Sequence, residues 1–263
     1  MFIDPSWRIL TIGDGDLSFT YSLLKDRKVE NVYGSVLDPE VILRAKYREH
    51  AIDALLDRDK KIFYQLDITQ TQSIPAQLIQ QFDLVIFQFP LIPNFGRDPT
   101  STTAPQMDSN ILNRHLLLSF IQNCFEVLLD PAGQGLCYIT SKDVKPYADW
   151  NIENLTPVPG AAHFLGWQPF DSQNFPRYKV RNVDRDKQIK DTAGKTYVWG
   201  YKGLQYPMLD LRPSSKSLLG YCKLCGTGPL LTEQSLAAHQ LSKSHLRKLN
   251  YETKWQDYIK MKV

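Results

Sequence analysis

The apolar run Ile9-Leu10-Thr11-Ile12 stops at Gly13-Asp14-Gly15-Asp16, and a helical pattern starts directly behind it at Leu17. A strand that turns through two glycines into a helix is the opening of a βαβ unit, because the glycines let the backbone reverse tightly beneath a helix N-terminus. The alternation then repeats. Strands are predicted over 31–37, 61–66, 83–87 and 136–140, with helices over 39–58, 75–81 and 109–129 between them. Pro39 suits the first turn of its helix, and Asp108 or Ser109 can cap the last one. A helix over 147–155, an extended run over 164–170 and a last strand over 196–201 complete the pattern. Strands alternating with helices require a mainly parallel sheet covered on both faces, so the fold class is α/β. Asp130-Pro131-Ala132-Gly133 ends the 109–129 helix, and the Pro-, Thr- and Ser-rich stretch 90–108 reads as a long loop beyond the fourth strand.

The domain boundaries read as 1–203 for the α/β body, 204–219 for a linker, 220–250 for a small finger and 251–263 for a helical tail. Apolar runs fall short of the roughly 20 residues a membrane-spanning helix needs, and Met1-Phe2-Ile3-Asp4-Pro5 carries no basic leader. The expectation is a soluble intracellular protein with no membrane partner, favoured as a monomer. Cys124 and Cys137 lie in helical and strand patterns and read as packing residues.

Two glycines alone would serve many nucleotides. A dinucleotide such as NAD seats its pyrophosphate on the helix N-terminus, which Asp14 and Asp16 would oppose. Both are compatible with S-adenosylmethionine, which has no phosphate and carries a sulfonium and an ammonium group. The ligand positions expected from this geometry are Gly13, Asp14, Gly15, Asp16 and Ser18 in the turn, with Asp38 closing the second strand to accept from ribose hydroxyls. Asp67, ending the third strand, could face the adenine or cap the turn before Thr69.

At the other end, Cys222, Cys225, His239 and His245 form a C-x2-C-x13-H-x5-H series. That spacing lets two thiolates from a turn and two imidazoles from a helix surround a tetrahedral Zn2+. The expectation is a ββα-type finger whose single helix over 232–250 packs Leu236 and Leu241 inward. Four protein ligands close the coordination sphere, so the metal would be structural.

Charge is divided unevenly. Residues 1–176 hold 14 Lys+Arg against 21 Asp+Glu, whereas 177–263 hold 17 against 7. A basic end on an acidic body suits a polyanion, since cations on phosphates release counterions. Arg177, Lys179, Arg181, Arg185, Lys187 and Lys190, with Tyr178, Tyr197 and Trp199, read as a basic strip with aromatics for RNA, although Asp184, Asp186 and Asp191 could pair locally with it.

Several ordered motifs carry a resemblance. Residues 9–19, Leu37-Asp38, Lys46-Tyr47, Phe82 through Pro90, Asn113-Arg114-His115, Lys145-Pro146-Tyr147 with Trp150, and Phe175-Pro176-Arg177-Tyr178 together resemble the Rossmann-like methyltransferases typified by eukaryotic large-subunit rRNA uridine-N3 methyltransferases. The resemblance implies a class I methyltransferase domain, S-adenosylmethionine as donor, an rRNA substrate, and a cytoplasmic or, in a eukaryote, nucleolar location. This chain has Gln88 and Leu91 where the family pattern has Asn and His. Gln88 would hold the uracil edge, because an amide offers both a donor and an acceptor, and Phe89 and Pro90 would wall off a flipped base. Asp16 and Asp143 are weaker candidates for the proton acceptor, and His115 reads as a core histidine. The finger, with Lys243, Arg247 and Lys248, resembles matrin-type fingers and implies RNA docking. The competing reading is a zinc-finger RNA-binding or adaptor protein whose Rossmann domain binds a nucleotide-like ligand without turning it over.

Overall fold

The computed structural model describes residues 1–92, 107–182, 185–188 and 194–262, with backbone alone at 182 and 185–188. Most of the 90–108 loop, and the side chains of Arg185, Lys187 and Lys190, therefore lie outside the described residues. One seven-stranded sheet organises the chain. Its strands are β1 (Ile9–Ile12), β2 (Val32–Ser35), β3 (Ile62–Phe63), β4 (Leu84–Gln88), β5 (Leu136–Ser141), β6 (Ala162–Phe170) and β9 (Gly194–Tyr201). Between β6 and β9 a two-stranded ribbon pairs β7 (Arg181–Asn182) with β8 (Arg185–Gln188).

The order across the sheet is β3-β2-β1-β4-β5-β9-β6. Strands β1 to β5 are mutually parallel, and β9 runs antiparallel to both neighbours. The chain leaves β1 toward β2 on one side and later returns to pair β4 on the other. That reversal opens a crevice at the carboxyl ends of β1 and β4, where open α/β sheets place their ligands.

Period-two alternation sorts the core. Leu84 and Ile86 of β4 face one layer with Phe19 and Leu23 of α1 (Ser18–Asp26) and with Ile3 and Trp7 of the N-terminal segment. Val85 and Phe87 face the other layer, with Leu117, Phe120 and Ile121 of α4 (Ser109–Asn123). Cys124 and Cys137 are fully buried in this second layer, as their patterns predict. Asp108 caps α4 by accepting from Asn110 N at 3.0 Å.

The structure departs from the sequence expectations in several helices, each for a local reason. The helix expected over 39–58 is two helices, α2 (Glu40–Lys46) and α3 (Ile52–Leu56). Tyr47 turns to extended backbone (φ −113°, ψ 117°) and buries its ring over the glycine turn, while Ala51 N donates to Asp16 O at 2.9 Å. The helix expected over 147–155 is two short 3-10 turns, Tyr147–Asp149 and Ile152–Asn154. Helix α4 passes into a wide turn, Cys124–Leu128, closed by Leu129 N to Cys124 O.

Residues 204–219, read as a linker, run along the outer edge of the sheet. Trp167 and Arg212 exchange backbone hydrogen bonds of 2.9 and 2.8 Å, which covers the edge of β6. The helix expected over 232–250 also breaks, into α5 (Glu233–Gln240) and α6 (Lys243–Lys262). The Ser242 hydroxyl accepts from His245 N and starts the second helix. Leu236 and Leu241 are exposed rather than inward, because the small finger has no apolar layer of its own for them to enter. No strand is assigned between 220 and 232. That stretch is held by Leu230 N to Gly220 O and Cys222 N to Thr227 O.

Helix α6 runs unbroken from the finger into the body, where Trp255 is fully buried and Tyr258 nearly so. Trp255 Nε1 donates to Thr156 O at 3.0 Å, and Arg114, itself 2% exposed, pairs with Glu252 at 2.9 Å. Arg247 pairs with Asp149 at 3.0 Å and Lys254 with Asp108 at 2.9 Å. The finger is thus bolted to the body by four successive turns of one helix.

Candidate active site

The glycine turn sits at the carboxyl end of β1 inside the crevice. Gly13 has φ +61°, and a Cβ there would stand 2.8 Å from the Phe87 ring, so this position needs glycine on two counts. At Gly15 a Cβ would meet Tyr47 Oη at 3.3 Å, which makes Tyr47 the lid of the turn. The two acidic residues do not point outward. Asp14 is buried and accepts from Thr20 N and Thr20 Oγ1, both at 2.6 Å, and from Phe19 N at 3.3 Å. Asp16 is equally buried, accepts from Ser18 N at 3.0 Å and pairs with Arg181 Nε at 2.5 Å. The amides at the start of α1 are therefore already taken by carboxylates of the chain itself. Burial, and next the neighbouring charge of Asp16, push the Asp14 carboxyl up to about 7 despite those hydrogen bonds.

Ser18 Oγ accepts from Lys179 N at 3.0 Å, tying the turn to the 175–181 segment. Asp38 follows β2 and pairs with Lys46 at 2.6 Å, beside Leu37, which is 63% exposed. Asp67 Oδ1 accepts from Thr69 N at 2.9 Å and Thr69 Oγ1 at 2.7 Å, the turn-capping arrangement.

Gln88 ends β4 on the α1 side of the sheet. Cross-strand register aligns it with Thr140, Thr196 and Gln168, so one polar row crosses four strands. Thr140 and Thr196 bond each other at 2.9 Å. The row lies under the first two residues: Met1 Sδ is 4.0 Å from Gln88 Nε2 and 3.9 Å from Thr196 Oγ1, and Phe2 N donates to Gln168 Oε1. Gln88 Oε1, Gln168 Nε2 and the neighbouring Ser141 Oγ are buried without a hydrogen-bond partner. Phe89 holds φ +48°, a costly conformation for an aromatic residue, fixed by Phe89 N to Thr140 O at 2.8 Å and edge-on packing against Phe170. Pro90 is buried behind it.

Three cations of the basic strip pair with carboxylates of the chain, and the side chains of two of them, Arg177 and Lys179, stay partly exposed. Arg177 pairs with Asp26, Lys179 with Glu49 and Arg181 with Asp16. Tyr197 and Trp199 are core residues of β9, unavailable for stacking on a base, and Tyr178 packs on Phe19 and Phe170. His115 stands edge-on to Tyr258 with its pKa lowered, first by burial and then by Lys262, as a packing histidine would be. Asp143 pairs with Lys195 at 2.7 Å.

Residues 10–182, about two thirds of the chain, match the BMT5-like family, described as rRNA (uridine-N3-)-methyltransferase BTM5-like. The chain belongs to this family. A curated relative, heavy metal-associated isoprenylated plant protein 41 of Arabidopsis thaliana, is 25% identical over 182 residues, which is 67% of this chain and 33% of the relative. The BMT5-like chain thus spans about a third of that protein. Among solved structures, a putative tRNA (m1A22) methyltransferase of Streptococcus pneumoniae aligns over 97% of this chain and 92% of its own, at 8% identity and TM-score 0.43. TrmN of Thermus thermophilus aligns over 75% and 44% (14%, 0.41), and the Methanococcus jannaschii fibrillarin pre-rRNA processing protein over 77% and 71% (13%, 0.40).

The family match ends before the finger. There the four residues of the BMT5-like chain's Cys/His series converge, each offering one ligand atom, all within 4.8 Å of one another. His245 Nδ1 lies 3.6 Å from Cys222 Sγ, 3.4 Å from Cys225 Sγ and 3.1 Å from His239 Nε2. Zinc bonds of about 2.3 Å to sulfur and about 2.0 Å to nitrogen give tetrahedral edges of about 3.3 to 3.8 Å, and the three distances from His245 Nδ1 are close to that geometry, so the donor set is compatible with that ion. The break between α5 and α6 makes this possible, since it brings the rings of His239 and His245 to 4.9 Å.

Sequence reasoning missed Tyr47 as lid, Arg181 as partner of Asp16, and the Thr140–Thr196–Gln168 extension of Gln88. The first had a signal, because the Tyr47-Arg48-Glu49-His50 stretch interrupts the apolar face of the expected helix.

Proposed function

We propose that this chain is an S-adenosylmethionine-dependent RNA methyltransferase that methylates N3 of a uridine in ribosomal RNA. Family membership carries the reading, and the geometry of the glycine turn supports the donor. A pyrophosphate needs the first amides of α1, and Asp14 and Asp16 already occupy those of Ser18, Phe19 and Thr20. Gly13 and Gly15 let the turn pack closely against Phe87 and Tyr47, and Asp38 with exposed Leu37 offers a carboxylate and an apolar surface to an adenosine. Bound there, S-adenosylmethionine supplies an electrophilic methyl group.

The chain's own residues must hold the base in line with that methyl group, which lowers the barrier by several kcal/mol. Gln88 is assigned the uracil edge, its amide nitrogen donating to a ring carbonyl beside N3, while the N3 proton passes to solvent water as the methyl group is transferred. The rigid Phe89-Pro90 corner forms the wall behind it. Zn2+ at Cys222, Cys225, His239 and His245 is proposed as structural, with the finger docking RNA through exposed Lys243.

The test is methyl transfer from S-adenosylmethionine to ribosomal RNA, followed by mass spectrometry of nucleosides. N3-methyluridine formed by the wild type and lost in Gln88→Ala, with donor binding retained by calorimetry, is the expected result. Donor binding without any methylated nucleoside would favour the adaptor reading, which the Gln88 and Leu91 replacements permit.

A further inference from the structure

Beyond the end of β4, on the α4 side, the chain forms a half-open cavity of about 250 Å³ whose walls include Leu91, Ile92, Asn110, Pro146, Tyr147 and Tyr251. This is close to the lower range of small-molecule sites. Its walls come from four separate segments, and each is independently fixed. Ile92 N donates to Asn113 Oδ1 at 2.9 Å, and Asn113 Nδ2 is anchored on Ser109 O at 2.8 Å. Tyr147 packs edge-on against buried Trp150 at 4.9 Å between ring centres. Tyr251 reaches in from α6, held by the ion pairs of Arg247 and Glu252 on either side of it.

The polar equipment is specific. Asn110 is 5% exposed. Its Nδ2 donates to Asp149 O at 3.0 Å, whereas its Oδ1 is buried without a partner. A buried amide oxygen left unpaired is costly, and a ligand N–H would relieve it. Two tyrosine rings, a proline face and one lone acceptor suit a flat heteroaromatic ring carrying an N–H on its edge.

We infer that this cavity receives an unpaired nucleobase of the substrate RNA, with Tyr147 and Tyr251 flanking the ring and Asn110 Oδ1 accepting its N–H. The inference rests on the RNA-methyltransferase reading. The cavity lining begins at Leu91, three residues beyond the end of β4, and exposed Lys145 stands beside Pro146 for a phosphate. It also gives α6 a role at the site, because the helix that carries His245 supplies one of its aromatic walls.

The test is the affinity of the full chain for single-stranded oligo-uridine, read by fluorescence anisotropy, with S-adenosylmethionine affinity measured in parallel. Loss of a stacked base costs binding by about tenfold or more. Tyr251→Ala and, on an independent segment, Tyr147→Leu are expected to weaken RNA binding by that factor with donor affinity unchanged, and Tyr251→Phe to stay within about twofold of wild type. Oligo-uridine carrying 4-thiouridine should photo-crosslink to the peptide containing Tyr251. Wild-type RNA affinity in both Tyr251→Ala and Tyr147→Leu would overturn the inference while methyl transfer to RNA keeps the underlying reading intact. Weakened donor binding instead would give the cavity to the methyl donor. Absence of RNA binding by the wild type would sink both.

Discussion

Glu252→Gln tests whether the finger is structurally part of the α/β body. Arg114 is 2% exposed, and its partners are Glu252 at 2.9 Å, Asp149 O at 3.2 Å and the face of Trp255. Neutralising Glu252 leaves the buried guanidinium against a carbonyl and a ring, with no directly paired carboxylate and only the charges of Asp149 and Asp108 nearby. Breaking a buried pair from one side costs about 3 to 5 kcal/mol. The side chain of Glu252 is 24% exposed, and a glutamine oxygen can still accept one bond, so the lower end, about 3 kcal/mol, applies. For a chain of this size that corresponds to a Tm lowered by about 6 to 12 °C. Urea and thermal unfolding followed by circular dichroism would read it, with Glu233→Gln in the exposed first turn of α5 as a control expected within about 0.5 kcal/mol. The double variant Arg114→Met with Glu252→Gln should lose less than the sum of the two single changes, because no unpaired charge remains. An effect of Glu252→Gln no larger than the control would refute the claim that α6 is welded to the body through this pair.

Other expectations follow from the same geometry. Gly13→Ala should weaken S-adenosylmethionine binding in calorimetry and cost about 1 to 2 kcal/mol of stability, because a Cβ at φ +61° meets Phe87. Elemental analysis should find one zinc per chain, lost in Cys222→Ser, and a chelator should loosen the finger while Trp255 stays buried by fluorescence. The Asp14 carboxyl, at about 7 in the fold against 3.8 unfolded, binds a proton in the native state that the unfolded chain has released. Native stability from this group therefore falls as pH rises from about 4 through about 7, and Asp14→Asn should flatten that slope in pH-dependent melts. Glu252 has the opposite sign. Burial would raise its pKa, but hydrogen bonds from Gln256 and the charge of Arg114 hold it below 4.5, so its contribution is present above that value and is lost in acid.

What could be read from the sequence was periodicity and spacing. The strands of the parallel half, the glycine turn and the convergence of Cys222, Cys225, His239 and His245 are local signals, each set by a few neighbours in sequence. The failures are the places where distant residues decide. Tyr47 leaves its helix because the glycine turn offers its ring a place to bury, and Ala51 N because Asp16 O offers it an acceptor. Tyr197 and Trp199 alternate with Thr196 and Val198 on a strand buried on both faces, so their aromatic character speaks of packing rather than stacking. Asp14 and Asp16 bear on the choice of ligand in a different way. Their charges were read as facing a ligand, whereas they face inward and occupy the amides that a phosphate would have used.

That inward arrangement also constrains how the site can respond to its ligand. Asp16 is shared between Ser18 N and the guanidinium of Arg181, whose Nη2 also donates to Glu49 O at 3.0 Å. Lys179 N is held by Ser18, one residue from Leu17 with its left-handed φ of 63°. The glycine turn, the Tyr47–Ala51 corner and the 175–181 segment are therefore one hydrogen-bonded unit built from three parts of the chain. Arg181→Met breaks that unit at a point that touches neither glycine. If the turn is preorganised by its surroundings, this variant should weaken donor binding and lower stability together, since Asp16 would keep a buried charge without its cation. Full donor affinity in a destabilised Arg181→Met would show instead that the two glycines hold their shape unaided.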